Sequence, residues 1–226
     1  MARPVLLADF SPAVLQERLR SAAELEAMVR GHNRVIDAIH ARQAILPARL
    51  GMVYADSRDI LSALRSACGT LLTQLHRLEG CDEWALHLYA DRAVVQDRVA
   101  TRIASIGRLR EECAAARPGR AYFLERQVRD ELEAATRQSM AALAQSAFDR
   151  LAGCAVAGQV SAAGPAVDAA GEVEILRAAF LVARDGAEDF HAAVRAAADA
   201  GEGLRCEHSG PWPPYSFASW VDEEAR

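Results

Sequence analysis

The stretch EWALHLY, residues 83–89, alternates large apolar and polar side chains within an otherwise helical part of the chain. Three apolar residues recur at every second position: Trp84, Leu86 and Leu88. This period of two predicts a half-buried β-strand. Residues 56–80 before it carry apolar side chains at helical spacing, and residues 91–116 after it read as a polar, arginine-rich helix. A strand between two helical blocks excludes an all-helical fold.

The rest of the chain repeats this mixture of elements. Further strands are predicted at Pro4–Ala8, Ala44–Tyr54, Val173–Arg184 and Gly203–His208. Further helices are predicted to open at Ser11-Pro12 and at Ser21, and to cover 120–151 and 186–200, while 155–171 reads as a loop. Strands in both halves flank a helical block. We therefore predict an α+β fold, with two small mixed α/β domains bridged by a long helical hairpin.

This pattern divides the chain into four parts. The predicted parts are an N-terminal α+β domain (1–90), the helical hairpin (91–152), a C-terminal β-α-β region with a proline-aromatic cap (153–217) and a loose acidic tail (218–226). A chain of 226 residues is long enough to bury a core without disulfides or a structural metal.

Composition excludes several classes of protein. The net charge is −5, which argues against a nucleic-acid binder that uses a broad basic face. All 26 basic residues are arginine, and no function follows from this. The five cysteines are scattered and form no C-x-x-C pair, as expected for free thiols in a reducing cytosol. The N-terminal apolar run is too short for a signal peptide, and no apolar run is long enough to span a membrane.

The stretch GPWPPYSF, residues 210–217, holds three of the eight prolines of the chain. Proline excludes a helix and a central strand, and it favours extended geometry in the residue before it. Two interpretations are open. The stiff segment either folds back over a sheet edge and buries Trp212 and Phe217, or it presents an aromatic anchor such as Trp212 or Tyr215 to a partner.

Two further segments have a structural and a functional interpretation. Pro47-x-Arg49-x-Gly51 is typical of a kinked edge strand, and its alternative is an arginine presented to a partner. Glu83-Trp84 is interpreted as the start of a strand with a core tryptophan. The helix over 120–151 is expected to pack in the core, although its small alanines would also allow a partner helix to approach.

The sequence gives no pattern typical of an enzyme or a metalloprotein. His32 and His40 lie two helical turns apart without a third clustered ligand, and we expect no metal and no cofactor. Cys206-x-His208 places both side chains on one strand face, so an enzyme that uses this thiol stays as a minor alternative. No Walker A loop, G-x-G-x-x-G or G-x-S-x-G motif occurs, and we predict no catalytic residues.

Four of these segments, taken together and in order, resemble the gas vesicle protein F/L family (GvpF/GvpL). The terminal GPWPPYSF is similar to the most specific signature of that family. ILPARLGMVY (45–54) resembles its P-x-R-F-G-T-x-F segment, residues 80–89 resemble its G-x-x-E-W strand, and GRAYFL (119–124) is similar to its G-x-x-Y-L stretch. The chain departs at the N-terminus, where PVLLAD replaces a Y-x-Y-G strand, and at Leu50 and Met52, which replace Phe and Thr.

The resemblance implies a role in gas vesicles, the gas-filled protein organelles that give prokaryotic cells buoyancy. It implies a non-enzymatic assembly or minor structural protein that binds the shell protein or other accessory vesicle proteins, cytoplasmic before assembly and then in the vesicle. The alternative is a soluble chaperone-like binder of the shell protein that never enters the vesicle. The residues expected to bind partners or to form the signature are Gly210, Pro211, Trp212, Pro213, Pro214, Tyr215, Phe217, Pro47, Arg49, Gly51, Glu83 and Trp84.

Overall fold

A computed structural model describes residues 14, 20–52, 54, 56–161 and 172–218. The chain divides into two compact units, residues 1–83 with 211–226 and residues 84–210. The predicted strand at Pro4–Ala8, the helix opening at Ser11-Pro12 and the tail beyond residue 218 lie outside the described residues.

Helix α1, Ala22–His40, is the longest described element of the first unit. It begins where the sequence predicts, because the Ser21 hydroxyl accepts a hydrogen bond from the backbone N–H of Glu24. Ile36 and His40 are its buried residues. The His40 ring also bonds the Asp82 carboxylate, with Nε2 and Oδ1 2.8 Å apart, and this contact anchors the end of α1.

The stripe predicted as one helix over 56–80 forms two helices, α2 (Ser57–Ser66) and α3 (Cys68–Leu78). Asp56 caps α2 by accepting a hydrogen bond from the N–H of Arg58 at 2.8 Å. The division falls at Ala67, whose backbone leaves helical geometry, with φ −98° and ψ 3°. The apolar periodicity continues through this bend, which is why the sequence does not reveal it.

The predicted strand over Ala44–Tyr54 is wrong. Residues 44–49 form no helix or strand, and a turn follows at Leu50 and Gly51. Gly51 has φ +89°, a conformation that other residues rarely adopt. Pro47 supplies no N–H for a strand ladder, and no strand forms over residues 44–49.

The sheet has four described strands in the order β2-β3-β1-β4. They are β1 (Cys81–Asp91), β2 (Ala157–Val160), β3 (Glu172–Ala183) and β4 (Leu204–Trp212). The α+β class is therefore confirmed. The boundary between the two units falls within β1, after Glu83, and within β4, after Gly210.

Strand β2 corrects the loop predicted over 155–171. It pairs antiparallel with β3, from Ala157 opposite Leu181 to Val160 opposite Ala178. A Cβ added at Gly158 would lie 3.0 Å from the Phe148 ring and 3.1 Å from the Phe180 ring. Glycine lets both rings approach the strand, so the small residues that indicated a loop here permit close packing.

Four helices complete the second unit: α4 (Arg92–Arg102), α5 (Ala104–Ala115), α6 (Pro118–Ala152) and α7 (Ala187–Ala198). The helix predicted over 91–116 is interrupted at Ile103, whose backbone is extended, and α4 and α5 both pack along the long helix α6. No helix in the described part of the chain is long and apolar enough to cross a bilayer.

The main core lies between one face of the sheet and helices α6 and α7. Phe180 on β3 is fully buried, with its ring centroid 5.4 Å from Phe148 and 5.5 Å from Phe190. Leu86 and Leu88 enter this cluster from β1, as their alternation predicts. A second cluster joins α4, α5 and α6 through Val95, Val99, Ile106 and Met140.

Candidate functional site

In the first unit, Glu83 holds the turn that ends the proline-aromatic segment. Its Oε2 accepts a hydrogen bond from the Ser216 backbone N–H, and its Oε1 accepts one from the Ser216 hydroxyl, both at 2.7 Å. Ser216 is the central residue of a 3₁₀ turn, Tyr215–Phe217. The structure therefore brings together two of the predicted signature segments, the start of β1 and the C-terminal turn.

The environment of Glu83 favours its protonated form. The residue is 7% exposed. Burial raises the pKa of its carboxyl above the ordinary value of 4.5, while the two hydrogen bonds from Ser216 act in the opposite direction. This polar contact therefore depends on pH.

A second contact fixes the same turn to helix α1. The Tyr215 hydroxyl donates to Oδ1 of Asn33 at 3.2 Å. Burial, and then the charge of Asp37, raises the pKa of this phenol, so it stays a donor at neutral pH. Asn33 and Glu83 are separate anchors for one short turn.

The segment buries two of its three prolines and exposes two of its three aromatic side chains. Pro213 and Pro214 are buried, whereas Trp212 is 49% exposed and Tyr215 is 39% exposed. Phe217 is half-buried. Trp212 is therefore exposed, whereas the structural interpretation expected it to be buried. Pro213, Pro214 and Ser216 are among the residues of the segment that contact the rest of its unit.

Gly210 is the first residue of this segment and has φ +150°. A residue with a Cβ rarely adopts this angle, so glycine is required for the backbone to enter Pro211 as it does. Strand β4 continues to Trp212 and is an edge strand among the strands that the structure describes, and a proline on an edge strand costs no ladder hydrogen bond. The predicted end of this strand at His208 is therefore four residues too early.

The Pro47-x-Arg49-x-Gly51 segment lies against α1 in the first unit. The His32 ring nitrogen Nε2 is 2.9 Å from the carbonyl oxygen of Ala48, and Pro47 is buried. Arg49 and Gly51 are exposed. The segment is thus held by a backbone contact at its centre, with the arginine at the surface.

In the second unit, Trp84 joins a cluster of aromatic rings. Its ring lies edge-on to His191 at 4.5 Å between centroids, and 5.9 Å from His208. Phe190 is 6.4 Å away. Trp84 packs against the main core, as predicted for it, but the paired histidines come from α7 and β4 and are far apart in sequence.

Cys206 and His208 lack the properties of a catalytic pair. Burial raises the pKa of the Cys206 thiol to about 11, so the thiol is protonated at neutral pH and a weak nucleophile. Burial also lowers the pKa of His208, helped by the nearby His191 and Arg195. No group of three or more metal-binding side chains occurs among the residues that the structure describes.

The opposite face of the sheet in the second unit carries a polar network that the sequence analysis missed. The Glu174 carboxylate bonds the His87 ring at 2.6 Å and binds Arg177 through both of its oxygens, at 3.0 and 2.8 Å. These bonds, above all those from Arg177, lower the pKa of Glu174. Arg205 lies 4.2 Å over the Tyr89 ring. The available signal was the alternation of His87 and Tyr89 with the core leucines of β1.

A sequence model described as "Gas vesicle synthesis protein GvpL/GvpF" matches residues 4–219. The chain belongs to the GvpL/GvpF family. This match covers nearly the whole chain and includes the four segments that carried the resemblance.

Named relatives agree with membership of the GvpL/GvpF family. The chain is 31% identical to gas vesicle protein L of a Streptomyces species, over 96% of this chain and 79% of that protein. It is 28% identical to gas vesicle protein F2 of Halobacterium salinarum, over 85% of this chain and 68% of that protein. The family gives the chain a role connected with gas vesicles.

Two solved GvpF structures share the fold. The crystal structure of GvpF from Anabaena sp. matches with a TM-score of 0.68 at 21% identity, over 88% of this chain and 78% of that one. GvpF from Microcystis aeruginosa matches with a TM-score of 0.59 at 18% identity, over 88% and 79%. At these identities the likeness concerns the fold alone.

Proposed function

We propose that this chain acts in gas vesicle assembly as a non-enzymatic protein-binding component that recognises the shell protein or other accessory vesicle proteins. Family membership supports the connection with gas vesicles. The observation that carries the binding role is an exposed apolar surface on helices α2 and α3 of the first unit.

We call these exposed leucines the leucine face, and they are Leu61 and Leu64 on α2 and Leu72 on α3. Leu61 and Leu72 are each 50% exposed and Leu64 is 39% exposed. Leu61 and Leu64 are three residues apart and share one side of α2, a helix with no buried residue. An amphipathic helix normally buries its apolar stripe, so a leucine side left at the surface favours a partner.

The terminal segment supports the same role. Trp212 and Tyr215 are exposed on a backbone that buried prolines and Glu83 hold in place. An aromatic side chain on an already ordered segment loses little entropy on binding, which suits an interface anchor. Arg49, also exposed, is a third candidate contact.

Chemistry at Cys206 fits this proposal better than it fits an enzyme. A thiol with a pKa of about 11 needs an activating base or cation to become a nucleophile. Its neighbour on the strand, His208, has its own pKa lowered by burial and by positive neighbours, and Glu207 raises the thiol pKa further. We therefore assign these groups to packing.

The sheet edges offer a further mode of binding within this proposal. In the described sheet, β2 and β4 are the edge strands, and Val160 on β2 is 57% exposed. A partner strand could extend the sheet by hydrogen bonding to an edge. Crosslinks from the shell protein to β2 or β4 would support this mode, and a crosslinking map confined to the helices would exclude it.

A charge on the leucine face tests the proposal. Leu61→Glu with Leu64→Glu should leave the thermal midpoint nearly unchanged, because both side chains are exposed, and should abolish capture of vesicle proteins in pull-downs. The matched control, Tyr122→Glu with Phe123→Glu, alters residues that are 63% and 72% exposed in the second unit. Normal capture and normal vesicle yield with the leucine variant would contradict the proposal.

The second candidate is a chaperone-like binder that keeps the shell protein from aggregating and does not enter the vesicle. The same leucine face would serve it, since holding a hydrophobic client also needs an exposed apolar surface. Washed, purified vesicles separate the two roles. We expect the chain to persist in them, as a component of the gas vesicle would, and complete loss on washing would favour the chaperone role.

A further inference from the structure

Helices α4 and α6 of the second unit enclose an open cleft of about 230 Å³. Its walls combine two arginines and a serine with apolar side chains: Arg98, Arg102, Ser139, Val95, Val99 and Leu143. Arg98 and Arg102 are four residues apart, so their side chains lie on one side of α4, one turn from each other.

The two arginines have no acidic partner in the part of the chain that the structure describes. Other arginines on the same two helices do have an acidic partner. Arg92 of α4 is 3.4 Å from Glu133 of α6, which also pairs with Arg137 at 3.3 Å. At the cleft, α6 presents Ser139, Ala142 and Leu143 to α4 in place of an acid.

The end of the Arg98 side chain lies close to the backbone of the turn before β4. A Cβ added at Gly201, in the turn before β4, would lie 2.9 Å from Nη1 of Arg98. The guanidinium therefore lies directly against the chain at Gly201. A planar guanidinium can bind a carboxylate through two parallel hydrogen bonds.

The surface continues beyond the cleft past Leu143. A small cavity of about 20 Å³ shares Leu143 and is lined by Ser146, Arg150 and Leu204, among others. Arg150 also has no ion pair with any residue described in the structure. Two arginines of α4 and Arg150 of α6 thus line the two cavities together with apolar side chains, and no acidic side chain lines either cavity.

We propose that this surface binds an acidic segment of a partner protein, with carboxylates on Arg98 and Arg102 and an apolar side chain beside Leu143. Charge complementarity selects this occupant, because both charged side chains that line the cleft are arginines and its other lining side chains are apolar except for Ser139. The inference rests on the proposed binding function and names the chemistry of one partner segment.

The test uses the purified full chain and a short labelled peptide of alternating Glu and Leu, followed by fluorescence anisotropy at low salt. The charge reversals Arg98→Glu and Arg102→Glu together should weaken binding about tenfold, as two lost surface ion pairs require. Arg108→Glu with Arg110→Glu on α5 is the matched control, since both residues are exposed and the change in net charge is the same. This control should bind as the unchanged chain does.

Three results would overturn the inference. They are equal loss of binding in the two double variants, equal binding of a Gln/Leu peptide, and tighter binding of a single-stranded oligonucleotide than of the Glu/Leu peptide. The assay contains no vesicle protein, so a negative result leaves the proposed function standing. That function fails separately, if the leucine-face variant keeps normal capture and vesicle yield.

Discussion

The two oxygens of the Glu83 carboxylate accept the two polar hydrogens of Ser216, a residue 133 positions later in the chain. One oxygen binds the backbone N–H and the other binds the hydroxyl, each at 2.7 Å. This pair is a long-range link within the first unit, and it fixes the turn beside the exposed Trp212. The geometry of the candidate aromatic anchor therefore depends on a buried acid.

Removing the Ser216 hydroxyl should destabilise the fold. Ser216→Ala keeps the backbone hydrogen bond and leaves Oε1 of the buried Glu83 without this donor, at a cost of about 1–3 kcal/mol. Urea unfolding should show a lower midpoint with an unchanged slope. Ser62→Ala, at an exposed position on α2, is the control, and equal midpoints for the two variants would contradict the role of this bond.

The Glu83 carboxyl should give the stability a specific pH dependence. Its folded-state pKa lies above its ordinary 4.5, so its contribution is fully present below 4.5 and is lost as pH rises through the folded-state pKa. Glu83→Gln cannot titrate. The stability of the unchanged chain should therefore fall relative to Glu83→Gln as pH rises from about 4 to 7. A difference that is constant over this range would show that burial does not control this carboxyl.

His208 should give the stability a pH dependence of the opposite sign. Burial, then His191 and Arg195, holds its pKa below the ordinary 6.5, so the folded state favours the neutral ring. The contribution of His208 is present above pH 6.5 and is lost as pH falls through the lowered pKa. His208→Gln should reduce the loss of stability between pH 7 and 5, whereas His76→Gln, on an exposed face of α3, should not. Parallel pH curves for both variants would refute this.

Backbone geometry at Gly210 gives a prediction independent of charge. Gly210→Ala forces a Cβ into a conformation with φ +150° and should cost about 1–3 kcal/mol. Gly119→Ala is the control, because it lies in the first turn of α6 with open space around its Cα. Thermal melts should separate the two variants by several degrees. If they melt together, the strain at Gly210 is relieved by movement of the neighbouring segment.

The hydrophobic periodicity of the sequence predicted the elements that bury one face. It failed where backbone geometry determines the local structure. EWALHLY alternates because β1 packs Leu86 and Leu88 on the core, so its pattern carried the α+β class. Ala44–Tyr54 is equally apolar, but Pro47 and the turn at Gly51 prevent pairing. Strand β2 was not predicted because its small residues indicated a loop. In the structure they allow two aromatic rings to pack on Gly158.

The sequence predicted the segments that form the candidate site, but it did not predict the contacts between them. Glu83 and the terminal stretch were both selected from the sequence, yet nothing in it states that the carboxylate meets Ser216. The arginines at the α4–α6 cleft were equally invisible, because an unpaired Arg98 looks in sequence like any arginine of a charged helix. Pairing across elements is a property of the tertiary structure, and local pattern does not encode it.

Trp212→Ala tests the anchor role of the terminal segment. The ring is 49% exposed, so its removal should cost less than about 2 kcal/mol of stability while lowering vesicle yield and capture of vesicle proteins strongly. Tyr122→Ala, at a residue 63% exposed on α6, controls for the loss of a surface aromatic. Trp212→Phe should restore part of the binding, because an aromatic ring of smaller area keeps part of the contact. A Trp212→Ala chain that folds normally and supports normal vesicle formation would contradict the anchor role. The segment would then have only an intramolecular role.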